Sequence, residues 1–530
     1  MTAGFESTQI NTDNRGNNIV GDAANEPSIV MDPNNADLMA IGWRQFDTIN
    51  SNFREAGLAY SRDGGRSWTN AGVLDPGEFR TDPVLRADSA GNFFYSSLST
   101  PQLRSVEVFR STDGGVSWSD PAPAFGGDKQ WIAVDRSGLM GDGHVYQTWN
   151  VQFTCCPNTD FTRSIDSGFS YQGPFAMPSP RLKWGTMAVD PDSGSLYIVG
   201  SDLGQTSHVL VRSDNAQNGG VPPTFPFITN VNLGGTTRSH MGFSSPNPDG
   251  LLGQVWIDAD YSNGPSRGNL YVLASVDPPG GDPLDIHFIR STDGGRSWSP
   301  PVRVNDDEGN AWQWLGTLSV AASGRIDALW DDTRNGGGDP KMSQLFYTWS
   351  TDAGVTWARN VEITETFNSH LGFPRQNKMG DYNDMISTQA GILLAYCATF
   401  NGEQDIYFSR IEIDCNNNGV HDGDDIARGA SRDDNHNGIP DECEACTGNE
   451  RIARAACKFR RGAGKLKVKL VGGAGFDSFL VRLSSGQSGE GQLDGKGKGR
   501  IRITGLPPGA GTASVEWGCG AQAQEEYSCE

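Results

Sequence analysis

Residues 291–298 read STDGGRSW, and the same octapeptide returns along the chain with small changes. Residues 61–68 are SRDGGRSW, 111–118 are STDGGVSW, 350–357 are STDAGVTW and 164–171 are the weaker SIDSGFSY. The consensus is S-x-D-x-G-x-[ST]-[WY]. An aspartate can accept bonds from turn amides, and a glycine two residues on supplies a left-handed backbone. The closing aromatic is placed to pack back between strands. The pattern predicts a stapled hairpin turn, and a fixed unit repeated many times predicts a repeat architecture.

The segments around these turns are short, β-rich and bounded by Gly, Pro, Asn and Asp, with 68 glycines and 14 tryptophans among 530 residues. That composition reads as all-β. Apolar inner strands, often ending in Asp, are expected at residues 27–32, 83–88, 131–135, 185–190, 254–258, 317–321 and 384–388. The long interval between Asp166 and Asp293 holds a degenerate octapeptide at residues 213–220. These strands predict seven repeating sheets, with six as the alternative count. The last repeat supplies only three strands. Its fourth is expected from residues 8–13, TQINTD, which resemble the post-turn strand PVRVND at 301–306. Closure by an N-terminal strand leaves no free edge.

The octapeptide resembles the Asp-box of the sialidase superfamily. The resemblance implies a β-propeller over residues 1–412, with the repeats as blades and the boxes between third and fourth strands. It makes Asp63, Asp113, Asp166, Asp293 and Asp352 structural. It also implies three arginines gripping a sugar carboxylate, a tyrosine nucleophile with a glutamate beside it, and an aspartate acid/base. The family's x-R-I-P motif is replaced by Asn25-Glu26-Pro27-Ser28. Seven blades would also depart from the six of the sialidase catalytic domain.

Ligands of propellers usually bind where the inner strands begin. The residue pairs entering those strands are Asn25 and Glu26, Thr81 and Asp82, Asp128 and Lys129, Lys183 and Trp184, Trp314 and Leu315, and Asp381 and Tyr382. Charged groups converging there are candidate ligand groups. The catalytic candidates are Asp381, Tyr382, Asp128 and Glu26. The substrate-binding candidates are Arg80, Arg238, Arg375, Lys129 and Trp184. His240 and Lys378 lie nearby in sequence.

Residues 413–445 change character. Asp414–Asp425 and Asp433–Glu444 both follow D-x-N-x-N-G-x-x-D-x-x-[DE]. In an EF-type loop the first, third, fifth, ninth and twelfth positions give side-chain oxygens, and the seventh gives a carbonyl. The Ca2+ ligands would be Asp414, Asn416, Asn418, Val420, Asp422 and Asp425, then Asp433, Asn435, Asn437, Ile439, Asp441 and Glu444. The segment resembles thrombospondin type 3 and dockerin repeats. Only residues 426–432 separate the loops, which favours a calcium-stiffened spacer.

Residues 446–530 predict a small disulfide-braced β-sandwich. They carry 13 Lys+Arg against 8 Asp+Glu, whereas the rest carries 29 against 56. The acidic body argues against nucleic acid as a partner. No apolar run is long enough to span a membrane. Six of nine cysteines, Cys415, Cys443, Cys446, Cys457, Cys519 and Cys529, fall after residue 414 and suggest disulfides. Cys155-Cys156 is a vicinal pair, either bridged or two thiols, and Cys397 reads as a buried thiol. Met1–Ile10 lacks a basic stretch followed by an apolar one. The reading is a secreted or cell-surface protein whose signal segment is not within this sequence, with the C-terminal region as a possible surface or wall attachment. Three functions follow. One is a sialidase-like hydrolase of terminal acidic sugars. The others are a glycan-binding adhesive propeller and an acidic-polysaccharide lyase.

Overall fold

The computed structural model describes residues 6–99, 104–412, 422–432, 440, 450–460, 462–473, 478–494, 496–518 and 521–530. The chain divides into two compact units. One is Met1–Thr388 with Ile392–Ile411, and the other is Gln389–Gly391 with Glu412–Glu530.

The first unit is built of antiparallel sheets in chain order, each an up-and-down meander. The first holds Ala23–Asp32, Asn35–Phe46, Glu55–Ser61 and Thr69–Leu74. The innermost strands of the next six are Arg80–Ala87, Trp131–Val134, Met187–Val189, Trp256–Ala259, Gln313–Val320 and Asp384–Ser387. Each innermost strand packs on the next, and Asp384–Ser387 returns to Ala23–Asp32, which closes a propeller-like ring of seven sheets among the described residues. Thr8–Gln9 pairs with Phe408 and Tyr407 as the outer strand of the last sheet. The strand order of that sheet therefore joins the first and last strands of this unit and removes an exposed edge.

The octapeptides link third and fourth strands, and they share one hydrogen-bond pattern. At 291–298 the Ser291 hydroxyl donates to Asp293 Oδ1 at 2.8 Å. Its oxygen accepts from Gly295 N at 2.9 Å. Asp293 Oδ1 accepts from Ser297 N at 2.8 Å, and Oδ2 accepts from the Ser297 hydroxyl. The first glycine position varies. Ser167 and Ala353 occupy it with φ of 56° and 59°. The second is glycine in all five copies, and packing explains it. A Cβ on Gly354 would lie 2.1 Å from the Phe288 ring, and one on Gly168 would lie 2.7 Å from Phe94. Each ring belongs to the preceding sheet. The closing aromatics pack the same way: Trp357 on Phe288 at 5.1 Å, and Trp68 on Phe408 at 5.0 Å. The motif is thus both a turn and the joint between neighbouring sheets. At the degenerate copy Asn215 takes the Asp place and accepts from Thr224 N at 2.8 Å.

The second unit has a three-stranded sheet of Arg451–Arg460, Ala463–Val471 and Lys498–Leu506. A four-stranded sheet holds Ser478–Leu483, Ser488–Gln492, Gly509–Trp517 and Gln522–Cys529. Leu466, Val468, Leu470, Val481, Val515 and Trp517 fill a shared core. Cys457 is bridged to Cys529. A helix covers Asp422–Arg428, and Asp422 and Asp425 on it are buried. The other expected calcium ligands (Asp414, Asn416, Asn418, Val420, Asp433, Asn435, Asn437, Ile439, Asp441, Glu444) lie outside the described residues, as do Cys415, Cys443, Cys446 and Cys519. Among the described residues no helix is long and apolar enough to cross a membrane.

Candidate ligand site at the mouth of the ring

Antiparallel meanders put two kinds of segment at one end of the ring: the entries to the inner strands, and the loops joining second to third strands. The octapeptide turns fall at the other end. The entry pairs share a backbone feature that sequence alone does not display. Glu26, Asp82, Lys129, Trp184 and Leu315, the second members of five pairs, have φ between 52° and 55°. A left-handed non-glycine residue costs energy and persists where the surroundings hold it. Register shifts at 25–28, 81–84 and 314–317 mark the same place in three sheets. Leu315 packs into the core, whereas Glu26, Asp82 and Lys129 converge.

Their charges meet in a buried floor. The Lys129 ammonium lies against Asp381, 3.2 Å from Asp82 Oδ1 and 3.7 Å from Glu26 Oε1. Lys378 contacts Asp381 and lies 3.3 Å from Glu26 Oε1. Arg44 Nε lies 3.1 Å from Glu26 Oε2. Asp128 sits beside Lys129 and accepts from Asn150 Nδ2 at 3.1 Å. Burial opposes every charge here, but the pairing decides which survive. Burial alone would raise Asp381 and Asp82, yet Lys129 and its neighbours hold both below the usual carboxylate range. Burial would lower Lys129, but Asp381, Asp82 and Glu26 hold it well above. Burial pushes Glu26 up to about 7 despite Arg44, Lys129 and Lys378. It also raises Asp128. Four carboxylates face Lys129, Lys378 and Arg44, and Asp82, Glu26 and Asp128 also act on Arg54 at the rim. Of the four, Glu26 is the one pushed up to about 7.

Above the floor is a cavity of about 640 Å³. Three cation–aromatic pairs stand around it. Arg54 lies over Phe79 at 4.6 Å, Arg104 over Phe153 at 5.2 Å and Lys183 over Trp184 at 4.1 Å. All six residues line the cavity, with His240, Gln205 and Asn150. Among the described residues none of Arg54, Arg104 and Lys183 has a carboxylate within salt-bridge distance. Burial and the nearby Arg44 bring Arg54 down to about 10, still charged at neutral pH. The Phe153 loop is braced from behind. Cys155 and Cys156 form a vicinal disulfide, and Cys155 N donates to Arg104 O and Gly126 O.

The structure brings together Glu26, Asp128, Lys129, Trp184 and Asp381 of the expected site residues. It does not bring in the others. Arg80 is buried between Asp75 and Glu107, at 2.6 Å from each. Arg238 is bound to Asp277 at 2.7 Å. Arg375 is exposed and is not among the cavity residues. The expected arginine triad therefore does not converge, because two of its members are spent on local carboxylates. Tyr382 turns inward, donates its hydroxyl to Pro83 O at 2.7 Å and packs on Trp131. Trp131 also meets Trp256, so the three rings fill the ring's interior. Burial raises the Tyr382 phenol well above its ordinary value, which is the opposite of an activated nucleophile. Sequence reading missed Arg44, Arg54, Arg104, Phe79 and Phe153. Antiparallel connectivity could have found the three arginines and Phe153, since ends of second strands and the following loops return to the same mouth, and Phe79 directly precedes the inner strand Arg80–Ala87.

No protein-family model matches the chain, and no curated protein matches it. Solved structures of similar outline include a protein of unknown function from Dyadobacter fermentans, 16% identical, covering 77% of this chain and 98% of that one at TM-score 0.42. The phage phi92 endosialidase is 10% identical, with 77% of this chain and 69% of that one covered at TM-score 0.45. An ulvan lyase of polysaccharide lyase family PL25 is 12% identical, covering 74% and 94% at TM-score 0.40.

Proposed function

We propose that this chain is a secreted, carbohydrate-active β-propeller of seven blades that takes an acidic sugar at the mouth of its ring. The observation that carries the reading is the contrast between floor and rim. The floor's charges are mutually paired, whereas among the described residues none of Arg54, Arg104 and Lys183 has a carboxylate within salt-bridge distance, and each lies on an aromatic face. A sugar offers C–H faces to the rings and a carboxylate to the cations. Guanidinium groups suit that carboxylate by their fork of donors. The disulfides Cys155–Cys156 and Cys457–Cys529 support an oxidising compartment.

For turnover, hydrolysis of a terminal acidic sugar fits better than elimination. Asp128 is pushed toward its protonated form while Asp82 and Asp381 are held ionised. Carboxyls pushed apart in this way can divide acid and base roles. Tyr382 takes no part. Binding without turnover is the second reading, and the lysines already seated on Asp82 and Asp381 favour it. A panel of acidic and neutral oligosaccharides, read for binding and for released reducing ends, separates the two. Hydrolysis requires release by wild type and its loss in Asp128→Asn. Release undiminished in Asp128→Asn removes Asp128 from the reaction, and binding without release leaves the second reading.

The oxygen-only donor set of residues 414–444 fits a hard cation such as Ca2+. Chelation is expected to open this segment to limited proteolysis while the ring resists. Equal cutting with and without chelator would contradict it.

A further inference from the structure

The three-stranded sheet of the second unit has one apolar face and one on which most side chains are basic. On the middle strand, Leu466, Val468 and Leu470 point into the core, and Lys465, Lys467 and Lys469 alternate with them. Pairing places Arg454 opposite Lys469 and Lys458 opposite Lys465 on one side. It places Arg502 opposite Lys467 and Arg500 opposite Lys469 on the other. The strands Arg451–Arg460, Ala463–Val471 and Lys498–Leu506 contain no Asp or Glu. Slight burial and the crowding of Arg500, Lys469, Arg502 and Arg454 lower the Lys467 ammonium. The opposite sheet differs: its outer face carries Glu490 and Glu516, with Arg482 paired to Glu516 at 3.0 Å. Charge in this unit is therefore sorted by face. A merely solvated surface has no need of that, since like charges side by side repel.

We propose that this basic sheet face is a docking surface for a linear acidic polysaccharide. Same-face cations recur about 6.6–6.8 Å apart along a strand and about 4.8 Å apart across strands. That grid lets one extended polyanion meet several of these charges along its length. Other polyanions fit less well. Among the described residues the face carries no aromatic ring for stacking unpaired bases, since Phe459 packs toward the core. It carries no large apolar residue to enter a bilayer. The Cys457–Cys529 bridge ties the first strand of this sheet to the last strand of the chain, which suits a compartment where acidic polysaccharides are the abundant polyanion.

The inference does not depend on the reading of the ring. The full chain would be passed over immobilised heparin and polygalacturonate, with dextran as the neutral control, at about 0.1 M salt. Retention on the acidic polymers but not dextran is expected, with at least a tenfold loss of affinity in Lys467→Glu/Arg500→Glu/Arg502→Glu. The same three positions changed to Gln give the answer if charge reversal impairs folding, which a melting curve reports. The cavity variant Arg104→Ala/Lys183→Ala tells the two surfaces apart: retention lost in it and kept by the face variants would mean that the ring, not this sheet, holds the polymer, and would overturn the proposal. Failure of wild type to bind either polymer would overturn the proposal, as would undiminished binding by the face variants. Tighter binding to duplex DNA or to phosphatidylserine vesicles would also overturn it.

Discussion

The Lys129 ammonium rests on the Asp381 carboxylate, so the loop entering the third sheet is tied across the ring to the loop entering the seventh. Both side chains are almost fully buried. Removing one member of a buried pair leaves the other charged without its partner, at a cost of about 3–5 kcal/mol. Lys129→Met is therefore expected to lower the unfolding free energy by that amount, read as a lower urea midpoint at unchanged slope. A loss below about 1 kcal/mol would mean that Lys378 alone holds Asp381 and that the cross-ring tie is incidental.

The octapeptide turns make a separate prediction. Asp293 accepts from Ser291, from the Ser297 amide and from the Ser297 hydroxyl. Asp293→Ala leaves those donors to water and should cost about 1–3 kcal/mol. The turn lies at the end of the ring away from the cavity, so ligand affinity should not change while the protein stays folded. A loss of affinity without a loss of stability would place the functional face at the wrong end.

A third prediction concerns pH. Burial raises Asp22 to about 7, and Asp405 and Glu403 add to the rise against the bond from Gln45. In the unfolded chain an Asp titrates near 4. The folded state therefore holds the proton more tightly, and stability falls as pH rises from about 4 through about 7. Asp22→Asn removes this dependence and keeps an acceptor for Gln45 Nε2. It should be more stable than wild type at pH 8 by about 1–2 kcal/mol, allowing for screening, and nearly equal at pH 4. Denaturant curves at the two pH values check this. A variant weaker than wild type at pH 8 would contradict the raised Asp22.

Much of the ring was legible because its signals are local. The five octapeptides, the Asp-terminated inner strands and the kinship of TQINTD with PVRVND all lie within single short segments. The entry pairs were legible by the same alignment, and five of them share one backbone kink. The arginines were not, because proximity in sequence to a strand entry does not say where a long side chain points. Arg80 is two residues from Asp82, yet it is drawn off by Asp75 and Glu107. Tyr382 follows Asp381 but alternation along the chain sends it inward to Pro83. Arg44, Arg54 and Arg104 reach the cavity from positions far from any strand entry in sequence, so only the meander's return brings them in.

The central claim is that the rim recognises an acidic sugar. Calorimetric titration with N-acetylneuraminic acid, galacturonic acid and neutral galactose tests it most directly, on wild type and on Arg104→Ala/Lys183→Ala. Saturable binding of at least one acidic sugar is expected, with galactose at least tenfold weaker. The double variant should lose at least tenfold in affinity at an unchanged melting temperature, since neither cation is ion-paired within the described residues. Equal affinity for galactose and the acids, or undiminished binding by the double variant, would contradict the account.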